Sequence, residues 1–190
     1  MNKELDIKRK LSLRGIFLIY NLNEIFKSSP FWIAIIITII YSISSSFILI
    51  NQKGFSDFLI SKIDGLFPNL IGFSLGGYAI IVAFGNTDFL KKIAKSGMPY
   101  YEKLNAIFAF SILLQVFVLF ISFVSQVFIE VTKSLQLNLA FDFCQLSNLC
   151  YNSFTLFFIS WSLALIPYVV SNIFIFGETH HELLKNLNDN

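Results

Sequence analysis

Four long stretches of the chain carry no charged residue: Phe31 to Ile50, Leu66 to Phe84, Ala106 to Ile129 and Phe154 to Phe176. Each runs for 19 to 24 residues. At a rise of about 1.5 Å per residue, each helix would cross a hydrocarbon layer about 30 Å thick. A soluble bundle would need amphipathic helices to cover such runs, and the rest of the chain is too short to supply them. The pattern therefore predicts an all-α integral membrane protein with four transmembrane helices over 29–176. In the segment 1–28, Leu11, Leu18, Leu22 and Ile25 share one helical face, while charged and amide residues fill much of the remainder. This predicts an N-terminal interfacial amphipathic helix on the inner leaflet. A short helix capped by Thr87 or Asp88 and broken by Gly97 and Pro99 is expected between the second and third spans. Residues 177–190 form a tail.

Composition supports lipid as the solvent. The chain of 190 residues is 55% hydrophobic and 14% charged, against about 25% charged in a soluble domain. The net charge of +2 says little, but its distribution says more. Lys3, Lys8, Arg9, Lys10, Arg14, Lys27, Lys91, Lys92, Lys95, Lys103 and Lys185 fall on one side of the four-span layout, and only Lys53, Lys62 and Lys133 on the other. The positive-inside rule then puts both termini in the cytoplasm. Lys8, Arg9, Lys10, Arg14, Lys91, Lys92 and Lys95 are candidate contacts for lipid headgroups or a protein partner, ahead of nucleic acid. The basic start is not read as a secretory signal, because Arg14, Asn21, Asn23 and Glu24 interrupt any apolar core.

Within the second run, Gly72-Phe73-Ser74-Leu75-Gly76 matches G-x-S-x-G, the turn that presents a nucleophilic serine in hydrolases. That chemistry needs a strand before the serine, a helix after it and a histidine within reach. The order Ser74, Asp142, His180 could be matched to such a triad. However, Asp142 lies on the outer side, and His180 lies about 15 Å of helix away at the inner surface. An intramembrane serine hydrolase is disfavoured, and no catalytic residue is assigned.

Small residues account for more of this run. Gly65, Gly72, Gly76, Ala79 and Ala83 fall in one narrow sector, a bare flank against which another helix can pack closely. Ser153, Ser160, Ala164, Pro167 and Ser171 form a similar stripe on the fourth run, where Pro167 should kink the helix. The two stripes are expected to serve as a packing or oligomer seam, pairing with each other or between subunits. Ser111, Gln115, Ser122 and Gln126 share one face of the third run. They read as interhelical polar contacts or, alternatively, as the wall of an oligomeric pore. With no ionisable group in any run, coupled transport is not expected.

Cys144 and Cys150 lie in the outer loop, where a disulfide requires a bend between them. Glu178, His181 and Glu182 have helical spacing but no second cluster, so neither a metal nor a cofactor is expected.

In span count, length and cytoplasmic termini the layout resembles small membrane subunits encoded with bacterial anti-phage systems, of the Kiwa type. The resemblance implies a homo-oligomeric inner-membrane sensor that holds a cytosolic effector protein. It carries over no functional residue. The resulting reading is a non-enzymatic scaffold or sensor subunit, with a membrane-depolarising pore as the alternative.

Overall fold

The computed structural model describes residues 13–19, 21–47, 52–84, 100–134 and 141–188. All of these except Asn21 and Ser28 are helical. The helices are α1 (Leu13–Ile19), α2 (Leu22–Lys27), α3 (Ser29–Phe47), α4 (Gln52–Phe84), α5 (Tyr100–Ser134) and α6 (Phe141–Asn188). Three contain segments long and apolar enough to cross a membrane: Lys53–Ile80, Lys103–Val131 and Leu146–Glu178. The first of the four expected spans corresponds to a shorter apolar helix, Ser29–Ser45.

The helices outrun the uncharged stretches that announced them. α4 begins at Gln52 rather than Leu66, and it includes Lys53, Asp57, Lys62 and Asp64. This extension is amphipathic: Ser56, Leu59, Ile60, Ile63 and Phe67 are buried while those four charged residues are exposed. A 3.6-residue period continues the helix past the point where lipid-compatible sequence ends. α5 likewise reaches from Tyr100 to Ser134 and α6 from Phe141 to Asn188. The expectation of spans free of ionisable groups holds for the apolar runs but not for the helices. The single N-terminal helix is replaced, within the described part, by α1 and α2. α2 is preceded by Asn21, whose Oδ1 accepts the Asn23 amide and whose carbonyl accepts the amides of Glu24 and Ile25. Lys8, Arg9, Lys10, Thr87, Asp88, Lys91, Lys92, Lys95, Gly97 and Pro99 lie outside the described residues.

The chain divides into two compact units. One comprises Met1–Lys27, Phe73–Ile112 and Leu165–Asn190. Here Leu104, Ile107 and Phe108 of α5 are buried, as are Leu165, Val169 and Phe176 of α6. Phe17 of α1 packs edge-on against Phe110, and Glu24 of α2 pairs with Lys103 at 2.6 Å. The other unit comprises Ser28–Gly72 and Leu113–Ala164. Its centre is Ile63, Phe67 and Val118, packed by Leu119, Phe158 and Ile159. Around that centre run edge-on aromatic contacts, Phe31 with Trp161 at 5.2 Å and Phe117 with Phe158 at 5.0 Å. The many phenylalanines thus interlock helices by ring geometry, the contribution that persists where lipid is as apolar as the side chain.

Several hydroxyls in these helices are satisfied locally. Thr38 donates to Ala34 O, Ser125 to Ile121 O and Ser171 to Pro167 O, one turn back in each case. Such bonds let Ser and Thr sit in apolar surroundings without an exposed donor.

Candidate functional site

α4 carries the features from which a functional reading can be built, and it carries them on different faces. Ser56, Leu59, Ile60, Ile63, Phe67 and Ser74 are buried. At 100° per residue they cluster about 180° from Gly65, Gly72, Gly76, Ala79 and Ala83, all of which are exposed. A Cβ placed on Gly65, Gly72 or Gly76 would meet nothing within 4 Å. Among the described residues, nothing beyond its own helix approaches these three glycines, and the α6 stripe is not packed against them. The packed glycine is Gly77. A Cβ there would lie 3.3 Å from Ile173 Cδ1 and 3.6 Å from Phe108 Cε1.

Of the α6 stripe, Ser160 is buried, Ser153 and Ala164 are half-buried, and Pro167 and Ser171 are exposed. Ser153 lies 3.0 Å from Ser42 of α3. Ser42 already donates to Thr38 O at 2.9 Å, so Ser153 supplies the proton between the two hydroxyls. α6 continues through Pro167 as one helix.

The polar face of α5 turns inward. Ser111, Gln115 and Ser122 are at most 1% exposed, and only Gln126 reaches the surface. Asp64 of α4 meets this face. Ser122 Oγ donates to Asp64 Oδ1 at 2.8 Å, and Gln126 Nε2 donates to Asp64 Oδ2 at 2.6 Å. The two α5 residues also touch, Gln126 Nε2 to Ser122 Oγ at 3.3 Å. Both carboxylate oxygens are thus engaged by donors from the facing helix, a charge-assisted clamp. Pro68, inside α4, cannot donate to the Asp64 carbonyl, so the clamp grips the helix where its own ladder lacks a bond. A second interhelical bond, Ser56 Oγ to Asn152 Oδ1 at 2.7 Å, ties α4 to α6 and is buried.

Beside the clamp opens a crevice of about 530 Å³ lined by Asp57, Ile60, Ser61, Asp64, Gln126, Ile129 and Glu130. Its three carboxylates give it an acidic character. Among the described residues, no group of three or more His, Cys, Asp or Glu is arranged to hold a metal ion.

Neither remaining sequence motif forms the geometry its chemistry requires. Ser74 sits within a continuous helix, not on a strand-to-helix turn, and its side chain is only 3% exposed. Cys144 and Cys150 lie on the same unbroken helix, and Cys150 is a free, exposed thiol. Six residues of helix rise about 9 Å, beyond the reach of a disulfide. The disulfide alternative is therefore removed.

Asp64 is the residue that sequence reasoning missed. Its signal was available: Asp57, Ser61 and Asp64 are spaced by four and three, and Ser122, Gln126 and Glu130 by four and four. Two polar i, i+3/i+4 faces that end at the margins of apolar runs are candidates to face each other. No family model, no curated protein and no solved structure matches this chain.

Proposed function

We propose that the chain is a non-enzymatic, multi-pass subunit of the bacterial inner membrane that self-associates and presents its cytoplasmic segments to a soluble effector protein. The observation that carries this reading is the uncovered flank of α4. A helix long and apolar enough to cross a membrane leaves Gly65, Gly72, Gly76, Ala79 and Ala83 exposed, with open space beside the three glycines. In lipid, a bare flank of this kind lets a second backbone approach closely, and van der Waals contact then drives association.

Four crossings with both termini inside belong to this proposal. α3 has 19 residues, about 28 Å of helix, and it exposes Trp32, Ile33, Ile36, Ile40 and Ile43. Such a rod suits acyl chains better than water. The resemblance to Kiwa-type membrane subunits suggests anti-phage defence as the setting, with an effector docking on 1–28, 85–105 or 177–190.

The pore alternative has one observation in its favour. The acidic crevice could concentrate cations at an entrance, as carboxylate rings do in cation channels. Against it, Ser111, Gln115 and Ser122 point into their own chain rather than toward an axis between copies.

Native mass measurement of the complex, released from its membrane with a mild detergent, tests the proposal. The expected result is an assembly of at least two copies, reduced to single copies by Gly76→Leu. A wild-type protein that is monomeric in both detergent and nanodiscs would overturn the reading. Ion flux in proteoliposomes that Gln126→Leu abolished would instead favour the pore.

A further inference from the structure

The uncharged stretches of α4 and α5 are out of step. On α5 the stretch extends to Ile129, whereas on α4 it starts only after Asp64. Yet Asp64 accepts its bonds from Ser122 and Gln126, which lie inside the α5 stretch. Ser122 is seven residues from Ile129, about 10 Å of helix. Asp64 is thus carried well within the apolar level of its neighbour.

α3 sets the same level independently. Tyr41 stacks on Phe55 of α4 at 4.6 Å. Phe31 packs on Phe157 of α6 at 5.8 Å, and Phe158 packs against Ile63 and Phe67 of α4. α3 and α4 therefore run in opposite directions, and Asp57 to Asp64 fall level with α3 from Ile39 back to Trp32. Along that part Trp32, Ile33, Ile36, Ile37 and Ile39 are exposed, a surface suited to acyl chains. All of these residues belong to the second compact unit.

At this level Asp57, Ser61, Asp64, Gln126 and Glu130 are exposed and line the crevice of about 530 Å³, with Ile60 and Ile129 between them. Among the described residues lining it there is no lysine or arginine. Lys62 lies instead over the Phe58 ring, 5.4 Å from its centre. Charged groups at membrane depth turn to the protein interior or to a water-filled cavity. These carboxylates are exposed, so the interior does not account for them.

We infer that the crevice is a water-filled recess that descends about 10 Å into the hydrocarbon level, with Asp57 and Glu130 at its mouth and Asp64 at its floor. A cleft lined by one sign of charge focuses its field and concentrates counter-ions. The recess therefore favours small cations over anions and brings them to the carboxylate that joins α4 to α5. Its outward opening follows from the topology proposed above. The inference rests on the membrane-spanning reading and not on self-association.

Substituted cysteines test it, in native membranes and in a chain with Cys144 and Cys150 replaced by serine. The probes are two membrane-impermeant methanethiosulfonates, one cationic and one anionic, applied to spheroplasts. Ser61→Cys should react. After correction for reactivity with a free thiol, the cationic probe should be about tenfold faster or more, the enrichment expected of such a cleft. Asp57→Asn with Glu130→Gln should abolish that preference and leave the labelling. Ile36→Cys and Val124→Cys, at the same level on the exposed apolar surfaces of α3 and α5, should stay unreactive. A Ser61→Cys chain that is unreactive before and after lysis overturns the recess and leaves the membrane-spanning reading standing. Equal reaction at Ile36→Cys and Val124→Cys would put the whole level in water and overturn both. Reaction at Ser61→Cys only after lysis would keep the recess and reverse the topology.

Discussion

Gln126 of α5 donates its Nε2 hydrogen to Asp64 Oδ2 of α4 at 2.6 Å, while Ser122, one turn earlier on α5, donates to the other oxygen of the same carboxylate. Together they convert a polar helix face, which by itself could line a pore, into a contact within one chain. Removing the carboxylate should expose that dependence. Asp64→Leu leaves the Ser122 hydroxyl, at 0% exposure, without its acceptor. Loss of one acceptor from a buried donor costs about 1–3 kcal/mol. Detergent-denaturation midpoints for Asp64→Leu, Ser122→Ala and the double variant should show coupling of about 1 kcal/mol or more; additive single effects would mean that the clamp contributes nothing to stability.

The bond between Ser56 and Asn152 should be worth less. Both residues are buried, and the distance is 2.7 Å. Interhelical side-chain bonds within a membrane protein average about 0.6 kcal/mol and reach about 1.7. A double-mutant cycle of Ser56→Ala and Asn152→Ala should fall in that interval.

Neighbouring glycines should behave oppositely. Gly77→Leu forces a side chain against Ile173 and Phe108, and overpacking of this kind costs about 1–3 kcal/mol. At Gly76 a new Cβ meets nothing described within 4 Å outside its own helix backbone, so the Gly76→Leu monomer should fold normally while assembly is lost. Thermal melts and native mass, measured side by side, separate the two effects. A Gly76→Leu chain that misfolds would show that this flank matters within the monomer.

Glu24 and Lys103 join α2 to α5, with side chains 49% and 42% exposed. A pair this open contributes about 0.2–1 kcal/mol. Lys103→Glu should therefore lower stability slightly, the effect should shrink in high salt, and the swap with Glu24→Lys should recover it.

Cys150 is exposed and free. In the proposed topology it lies outside, so a membrane-impermeant maleimide should label it in intact spheroplasts. Labelling only after lysis would invert the topology. Non-reducing gels should show no internal disulfide.

The helices were legible because their cause is local. Uninterrupted apolar runs and the 3.6-residue period both lie in the chain itself, and both predicted α4, α5 and α6. Their ends were less legible. Asp57, Lys62 and Asp64 look like a loop if charge is taken to end a span, yet Leu59, Ile60 and Ile63 carry the apolar stripe straight through them. The polar face of α5 was also readable as a face, since Ser111, Gln115, Ser122 and Gln126 share one side of any helix. Asp64, 58 residues from Ser122, was readable only as part of another polar face; that the two faces meet is a matter of tertiary structure.

The sequence by itself determined that the described residues are helical and which of them share each helical flank; it predicted four spans, of which three are helices long and apolar enough to cross a membrane. Only the tertiary structure decided which flanks are used: Ser74 and Gln115 turned inward, Gly72 and Gly76 left bare, Gly77 in contact. The reason is physical. In water, an apolar stripe points inward because the opposite face must be wet. A helix surrounded by acyl chains has apolar surroundings on every side, so hydrophobicity no longer separates inside from outside. Contact geometry makes that choice instead.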